Sequence, residues 1–152
     1  MKKYMALALA LLCVLALAGC GNKTVNIALP FEAGNVEAVE MYHYTGAPAF
    51  AEKKVVVAED DIMALYDMLE GLSLELKETE EAAGAEITSF RFNLADGTSY
   101  ELIYTCYGVK TGTLKSPTGN FEYFTSADIG AYWSDIELEA APAEENELPQ
   151  AA

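Results

Sequence analysis

Cysteine and histidine are scarce in this chain of 152 residues, which contains three cysteines and a single histidine. Cys13 lies inside an apolar N-terminal run and Cys20 ends that run, so Cys106 is the only cysteine in the remainder. A lone cysteine cannot form an intramolecular disulfide, and neither a cysteine pair nor a second histidine is present to bind zinc. The sequence therefore predicts a domain without disulfide, metal or cofactor, held together by its hydrophobic core.

Positive charge is scarce as well, because nine Lys and Arg residues stand against 24 Asp and Glu residues. Lys2 and Lys3 belong to the N-terminal run, and beyond it seven basic residues face all 24 acidic ones, a net charge near −17. Such a charge repels the phosphates of nucleic acids and of anionic membranes. We therefore expect neither nucleic acid nor a membrane as a partner of the domain surface itself.

Motifs for catalysis are also missing: the chain has no Gly-x-Ser-x-Gly sequence, no glycine-rich phosphate loop and no dinucleotide fingerprint. His43 is the only side chain that titrates near neutral pH without help, and we interpret it as a structural strand residue. Cys106 continues the apolar face of a strand and is expected to be a small buried side chain. The remaining candidate is an acidic cluster without calcium-loop spacing, interpreted as a solvated loop: Glu78, Glu80, Glu81 and Glu86.

The N-terminus has the features of a secretory signal. Lys2 and Lys3 give it a positive start, and residues 4–18 carry no charge and are mostly Leu and Ala. This apolar run is shorter than the ~20 residues that a helix needs to cross a bilayer core. The segment is therefore predicted to direct export rather than to remain as a transmembrane helix.

The end of this signal, Leu17-Ala18-Gly19-Cys20, resembles the lipobox of bacterial lipoproteins. The resemblance implies that the Cys20 thiol receives a diacylglyceryl group and that residues 1–19 are then removed as the signal peptide. Two acyl chains hold a protein to a bilayer lastingly, whereas one does not. The chain is thus expected on the extracytoplasmic face of the bacterial cell membrane, anchored through lipid on Cys20, with a cell-envelope protein as the candidate partner.

Periodicity in the rest of the chain predicts an α+β domain. Apolar residues at three- and four-residue intervals follow the capping residues Glu59-Asp60-Asp61 and predict the main helix, with Gly71 at its end. Alternating patterns predict strands, and a shorter helix is expected over about 127–136, capped by Ser126. The predicted fold is a single antiparallel sheet of about four to six strands, with the main helix on one face. The helix stripe comprises Ile62, Leu65, Tyr66, Leu69 and Leu72, and the predicted strands include 36–44, 53–58, 113–115 and 121–124.

Composition divides the mature chain into a lipidated Cys20 with its tether (20–35), a domain (36–137) and a disordered acidic tail (138–152). The tract from Pro30 to Trp133 is similar in layout to small uncharacterised lipoproteins of Gram-positive bacteria. The phrases that carry this resemblance are Pro30-Phe31-Glu32, Glu40-Met41-Tyr42-His43 and Tyr123-Phe124-Thr125-Ser126-Ala127-Asp128-Ile129. It implies a location and an architecture but no activity.

The clearest hairpin covers residues 87–109 and turns at Ala95-Asp96-Gly97. A two-residue turn would pair Phe92 with Glu101, whereas a three-residue turn with Gly97 in the left-handed conformation pairs Phe92 with Tyr100. Because a shift of one residue exchanges the two faces of the strands, burial of the aromatic residues favours the three-residue turn. In that register Arg91 lies opposite Glu101.

Two isoleucines of this hairpin, Ile87 and Ile103, then point away from the helix that covers the core. Either the C-terminal helix covers them, through Ile129 and Trp133, or they form a surface where a partner binds; we expect the first. The candidate interaction surface accordingly comprises Ile87, Ile103, Arg91 and Trp133.

No pattern in the chain defines a substrate, and the sequence favours a membrane-anchored, non-enzymatic binding or interaction module with an unidentified ligand. The alternative is a small cell-envelope hydrolase in which His43 acts with nearby carboxylates. The surroundings of His43 in three dimensions distinguish the two hypotheses, because a general base needs a nucleophile that substrate can reach.

Overall fold

The computed structural model describes residues 23–77, 84–108 and 110–149. The signal, Cys20 and the acidic residues Glu78, Glu80 and Glu81 lie outside these ranges. Two α-helices are described, α1 (Glu59–Leu69) and α2 (Ala131–Asp135). Short 3-10 turns occur at Ala33–Asn35, Pro48–Phe50 and Glu145–Glu147. The strands are β1 (Thr24–Asn26), β2 (Val36–Thr45), β3 (Glu52–Val56), β4 (Ser73–Glu75), β5 (Glu86–Leu94), β6 (Ser99–Gly108), β7 (Thr111–Ser116), β8 (Phe121–Thr125) and β9 (Ala141–Pro142).

All described strands join one antiparallel sheet in the order β1-β4-β8-β7-β6-β5-β2-β3-β9. The expected sheet of about four to six strands is therefore wrong, since the described ranges alone contribute nine strands. The excess comes largely from short strands near the two edges of the sheet: β1 and β4 have three residues each and β9 has two. Segments this short show no alternation in sequence, and they become strands only by pairing with a neighbour.

Alternation along the long central strands gives the sheet two distinct faces. The helical face carries Met41 of β2, Phe90 of β5 and Leu102 of β6, all fully buried. Helix α1 packs against this face, and together they form the main hydrophobic core. The opposite face, called the groove face below, carries Tyr44 of β2 opposite Ile87 of β5, with Ile103 on β6.

Helix α1 follows its predicted apolar stripe. Ile62, Leu65 and Leu69 are buried, and the helix stops before Gly71, whose φ of +77° suits glycine. The expected capping by acidic side chains is wrong, because Ala58 occupies the N-cap position and no side chain bonds there. The acidic triplet instead places negative charge in the first turn, where it complements the helix dipole.

The hairpin of β5 and β6 has the predicted register. Phe92 pairs with Tyr100, and Arg91 pairs with Glu101. Gly97 adopts φ +81°, as the three-residue turn requires, and the Leu94 amide donates to the Thr98 carbonyl at 2.9 Å. The predicted register is therefore confirmed. It is the register that buries the aromatic side chains.

The N-terminal segment expected to be a tether adds to the core where it is described. Ile27, Leu29 and Phe31 are buried in the cluster that α1 covers, and β1 pairs with β4. The Leu29 amide donates to the Glu70 carboxylate at 2.7 Å. The apolar residues of this segment are too few to show a period, so the sequence alone suggested a linker.

The C-terminal segment expected to be a disordered tail also packs on the domain. We call residues 141–149 the C-terminal strap. Within it β9 pairs with β3, and Ala143 and Leu148 are buried beside Tyr42. Its Ala, Glu and Pro composition is typical of disorder, but only two apolar contacts and a few hydrogen bonds are needed to order a segment this short.

Helix α2 lies on the helical face. Trp133 and Ile129 belong to the same core cluster as Phe90 and Leu102. The expectation that α2 covers Ile87 and Ile103 is therefore wrong. On the helical face the Trp133 ring stacks on His43 and lies under the ammonium of Lys54.

Candidate interaction surface

An open groove of about 290 Å³ occupies the groove face over the central strands. Ile87 and Ile103 form part of its floor, and Ile103 is only 6% exposed. Tyr44 and Tyr107 also line it. The polar residues of the lining come from β6, β7 and β8: Thr105, Thr113, Lys115 and Glu122.

The C-terminal strap forms one border of this groove. Leu148 and Ala143 pack on Tyr42, and Pro149 lines the groove itself. Tyr44 is half-buried against the same cluster, and burial raises the pKa of its hydroxyl. The strap thus covers the β2 side of the groove face and leaves the β6 to β8 side open.

Arg91 holds the strap in place. Its guanidinium donates to Glu101 Oε1 at 2.8 Å, to Glu40 Oε2 at 3.0 Å and to the backbone carbonyl of Glu147 at 2.8 Å. It also donates to the Tyr42 hydroxyl at 2.9 Å, and that hydroxyl donates to Glu40 at 2.7 Å. Arg91 is therefore committed to internal bonds and borders the groove without lining it.

Hydrogen bonds within this network favour the charged forms of Arg91 and Glu147. Partial burial works against the charge of Arg91, but hydrogen bonds to Glu101 and Glu40 outweigh it and raise the guanidinium pKa. The pKa of Glu147 is lowered, first by the hydrogen bond from Lys53 and then by that from the Glu144 backbone. The 3-10 turn of the strap is closed by a capping box between Glu144 and Glu147.

Trp133, the fourth residue of the predicted surface, lies on the opposite face of the sheet. The ammonium of Lys54 lies 4.7 Å from the centroid of its ring and donates to its backbone carbonyl at 2.6 Å. Lys54 is itself buried and also donates to the Ile136 carbonyl. The structure therefore brings Ile87 and Ile103 together, with Arg91 beside them, and separates Trp133 from all three.

The surroundings of His43 contain a hydroxyl and a carboxylate. Nδ1 lies 3.0 Å from Thr88 Oγ1, and Nε2 lies 3.9 Å from Glu86 Oε1. The ring stacks on Trp133, and burial lowers the pKa of the imidazole, opposed by the charges of Glu86 and Glu52. A hydrolase would need Thr88 to reach a substrate, but this residue is only 1% exposed. The arrangement favours a structural role for His43.

Cys106 is a free, half-buried thiol at the end of β6, and its sulfur donates to the Gly108 carbonyl. No cluster of three or more His, Cys, Asp or Glu side chains suited to a metal ion occurs in the described ranges. Within those ranges, too, none of the helices combines the length and apolar character needed to cross a membrane.

Comparisons with known proteins add no relative to this description: no family model, no curated protein and no solved structure matches the chain. The interpretation of the surface therefore rests on its own geometry.

Two groove residues, Tyr44 and Tyr107, were not singled out from the sequence. Tyr44 could have been found by extending the hairpin register to the neighbouring strand, since it lies opposite Ile87 in the β2–β5 pair. Tyr107 lies at a register shift between Cys106 and Gly108, and simple alternation fails there. Pro149 lies in a segment whose composition predicted disorder.

Proposed function

We propose that the protein is an extracytoplasmic lipoprotein, anchored through Cys20, that binds a partner or ligand on its groove face without catalysing a reaction. The observation that carries the binding role is the open groove itself, which is lined by Ile87 and Ile103 together with the rings of Tyr44 and Tyr107. Apolar and aromatic side chains with a few polar groups around them are typical of binding surfaces.

The lipid anchor is supported by the lipobox pattern that ends at Cys20. Replacing Cys20 with alanine is expected to leave the domain folded and to release it from the membrane fraction or to block signal removal. Fractionation with a mass measurement of the mature chain tests this expectation. Retention in the membrane with normal processing would contradict the proposed anchor.

The groove is tested by placing a photoreactive phenylalanine at Tyr44 in intact cells. Tyr44 is a ring on the groove wall, so the substitution is conservative. The matched control is the same residue at Phe50, which is 77% exposed and does not line the groove. We expect a discrete cross-linked product from position 44 that disappears when Ile103→Arg is added. Equal products from both positions, or none from position 44, would argue against the groove.

A further inference from the structure

A second cleft opens on the helical face of the sheet, between the N-terminal segment and strand β8. Its volume is about 570 Å³, within the range of about 300–1,000 Å³ that is typical of sites for small molecules. Residues of the segment 25–30 form one wall, and the start of β8 with the turn before it forms the other. We call this site the aromatic cleft, because three rings line it: Tyr100, Phe121 and Tyr123.

The three rings lie on the same face of the sheet. Tyr123 pairs with Leu114 of β7, and Leu114 pairs with Tyr104 of β6. Alternation along the strands therefore places Phe121 and Tyr123 on the face that carries Tyr100. The rings of Phe121 and Tyr123 are nearly parallel, with centroids 5.5 Å apart and planes inclined by 20°. The cleft thus offers flat apolar surface to a ligand that has a flat apolar face of its own.

The hydroxyl of Tyr100 adds a polar group to this surface. Tyr100 is only 7% exposed, and its hydroxyl forms no hydrogen bond with any described residue. The turn before β8 closes against it, since a Cβ atom at Gly119 would lie 2.4 Å from this oxygen. In the described ranges no side-chain oxygen is both fully enclosed and unpaired, so this hydroxyl reaches the surface of the cleft that Tyr100 lines. A ligand in the cleft would supply the partner that the fold does not.

Two side-chain amides stand at the rim of the cleft. Asn26 ends β1, and Asn120 ends the turn that leads into β8. Both residues are exposed, and neither amide forms a hydrogen bond within the described part of the chain. Asn120 has φ +52°, a left-handed conformation that asparagine adopts more readily than most residues. Each amide offers an acceptor and two donors to a ligand.

The lining of the cleft is neutral. None of the described residues that line it carries a charge, although the sequence contains 24 acidic and nine basic residues. A cation would find no carboxylate there, and an anion would find no lysine or arginine. An entirely apolar ligand would enclose the Tyr100 hydroxyl without a partner, which costs free energy. The lining therefore fits a neutral ligand that has apolar faces and hydroxyl groups at its edges.

We propose that the aromatic cleft binds a neutral saccharide. A sugar ring has a face of C–H groups that packs on an aromatic ring, and its hydroxyl groups both donate and accept hydrogen bonds. Phe121 and Tyr123 provide the apolar contact, and the Tyr100 hydroxyl and the two amides bond the sugar hydroxyls. A proline-rich peptide, the other ligand suited to aromatic clefts, offers mainly carbonyl acceptors and would leave the acceptors of the cleft unused. The inference depends neither on the lipid anchor nor on the groove, which lies on the opposite face.

The test uses the full-length protein in micelles of a zwitterionic detergent, which has no sugar headgroup to compete. Saturation-transfer difference NMR is recorded with three neutral disaccharides: maltose, cellobiose and N,N′-diacetylchitobiose. Acetyl-tetraproline amide serves as the peptide probe. Titrations give the dissociation constants, and thermal unfolding verifies that each variant is folded.

We expect at least one disaccharide to bind and to receive saturation mainly on the C–H groups of a ring face. Tyr100→Phe and Asn120→Gly should each weaken binding by about two- to tenfold, the effect of losing one hydrogen bond. Both variants should remain folded, because the Tyr100 hydroxyl has no partner in the described fold and glycine suits φ +52°. The matched control is Tyr104→Phe, which should leave the affinity unchanged. Tyr104 lies on the same face of β6, but it does not line the cleft and its hydroxyl donates to the Ala127 carbonyl at 3.3 Å.

Three results would overturn the inference. The absence of saturation transfer to all three disaccharides in the folded protein would refute a saccharide site. Equal affinities in the unmodified protein, Tyr100→Phe and Asn120→Gly would show that the sugar binds elsewhere. Saturation of acetyl-tetraproline amide alone, lost in the same two variants, would assign the cleft to a peptide. None of these results bears on the groove, which is tested separately by cross-linking from position 44.

Discussion

The rings of His43 and Trp133 stack with their centroids 5.2 Å apart and their planes inclined by 16°. This contact places helix α2 on the helical face, so that α2 does not close the groove on the other side of the sheet. It also removes the His43 ring from water on one side, while Thr88 occupies its Nδ1. A single pair of rings therefore connects the packing of the C-terminal helix to the availability of the proposed binding surface.

His43 gives the stability of the protein a defined pH dependence. Burial holds its pKa below the ordinary value of about 6.5, so the unfolded chain binds a proton at a pH at which the folded protein does not. Stability is therefore full above about pH 6.5 and falls as the pH drops from there toward the folded pKa. Urea unfolding midpoints measured between about pH 7.5 and about pH 5.5 should decrease accordingly.

The control for this prediction is His43→Phe, which keeps a ring against Trp133 but cannot take up a proton. We expect a flatter pH profile over the same range, because most carboxylates titrate near pH 4 and contribute little there. A profile with the same slope in both proteins would contradict the role assigned to His43.

Helix α1 should depend on its buried stripe. Leu65→Ala and Leu69→Ala each remove a side chain that is 1% or less exposed, and we expect each to lower the free energy of unfolding by about 2–5 kcal/mol. Asp67→Ala, on the exposed side of the same helix, should change it by less than about 0.5 kcal/mol. Chemical denaturation compares the three, and equal losses would mean that the helix does not pack through this stripe.

We expect any larger residue at position 112 to destabilise the protein. A Cβ atom at this position would lie 2.3 Å from the Thr105 carbonyl oxygen and 2.7 Å from the Tyr104 ring, so strand β7 would have to move. We expect Gly112→Ala to destabilise the protein by about 1–3 kcal/mol. Gly34→Ala is the control, because nothing lies within 4 Å of its added Cβ and its φ is not positive. Thermal unfolding of the two variants should separate them clearly, and equal melting temperatures would contradict the close approach.

The parts of the fold that were predictable are those in which burial allows one solution. The register of β5 and β6 followed from the aromatic residues, since a shift of one residue would expose Phe90 and Phe92. The stripe of α1 followed from five apolar residues with helical spacing. In both cases several side chains favour the same arrangement independently of one another.

The elements that were not predicted depend on only a few side chains. Strand β9 has two residues, and only its pairing with β3 through Lys53 and Ala141 makes it a strand. Helix α2 packs on the helical face because Trp133 contacts Lys54 and His43, two residues that are far from it in the sequence. The candidate site was predictable only in part for the same reason. The hairpin register places Ile87 and Ile103 on one face, but the segments that pack on that face could not be predicted from it.

Arg91 supplies the last prediction, which concerns the C-terminal strap. Its guanidinium bonds two carboxylates, the Tyr42 hydroxyl and the carbonyl of Glu147, and its side chain is 21% exposed. Arg91→Leu keeps much of the side-chain volume and removes all four bonds. We expect a loss of about 1.5–3 kcal/mol, the range for a hydrogen bond to a charged group, because water reaches the strap and compensates for the others.

The local effect is expected to exceed the global one. Amide hydrogen exchange in residues 143–148 should accelerate in Arg91→Leu while the amides of β5 and β6 remain protected, since the strap is held by few other contacts. Arg91→Lys should restore little, because one ammonium cannot replace the planar donors of a guanidinium. The control Lys110→Leu breaks an exposed pair with Asp128 at 3.6 Å and should cost less than about 1 kcal/mol without any change at the strap. Unchanged exchange at residues 143–148 in Arg91→Leu would show that the strap is held by Leu148 and Lys53 instead, and that the border of the groove does not depend on the only arginine of the chain.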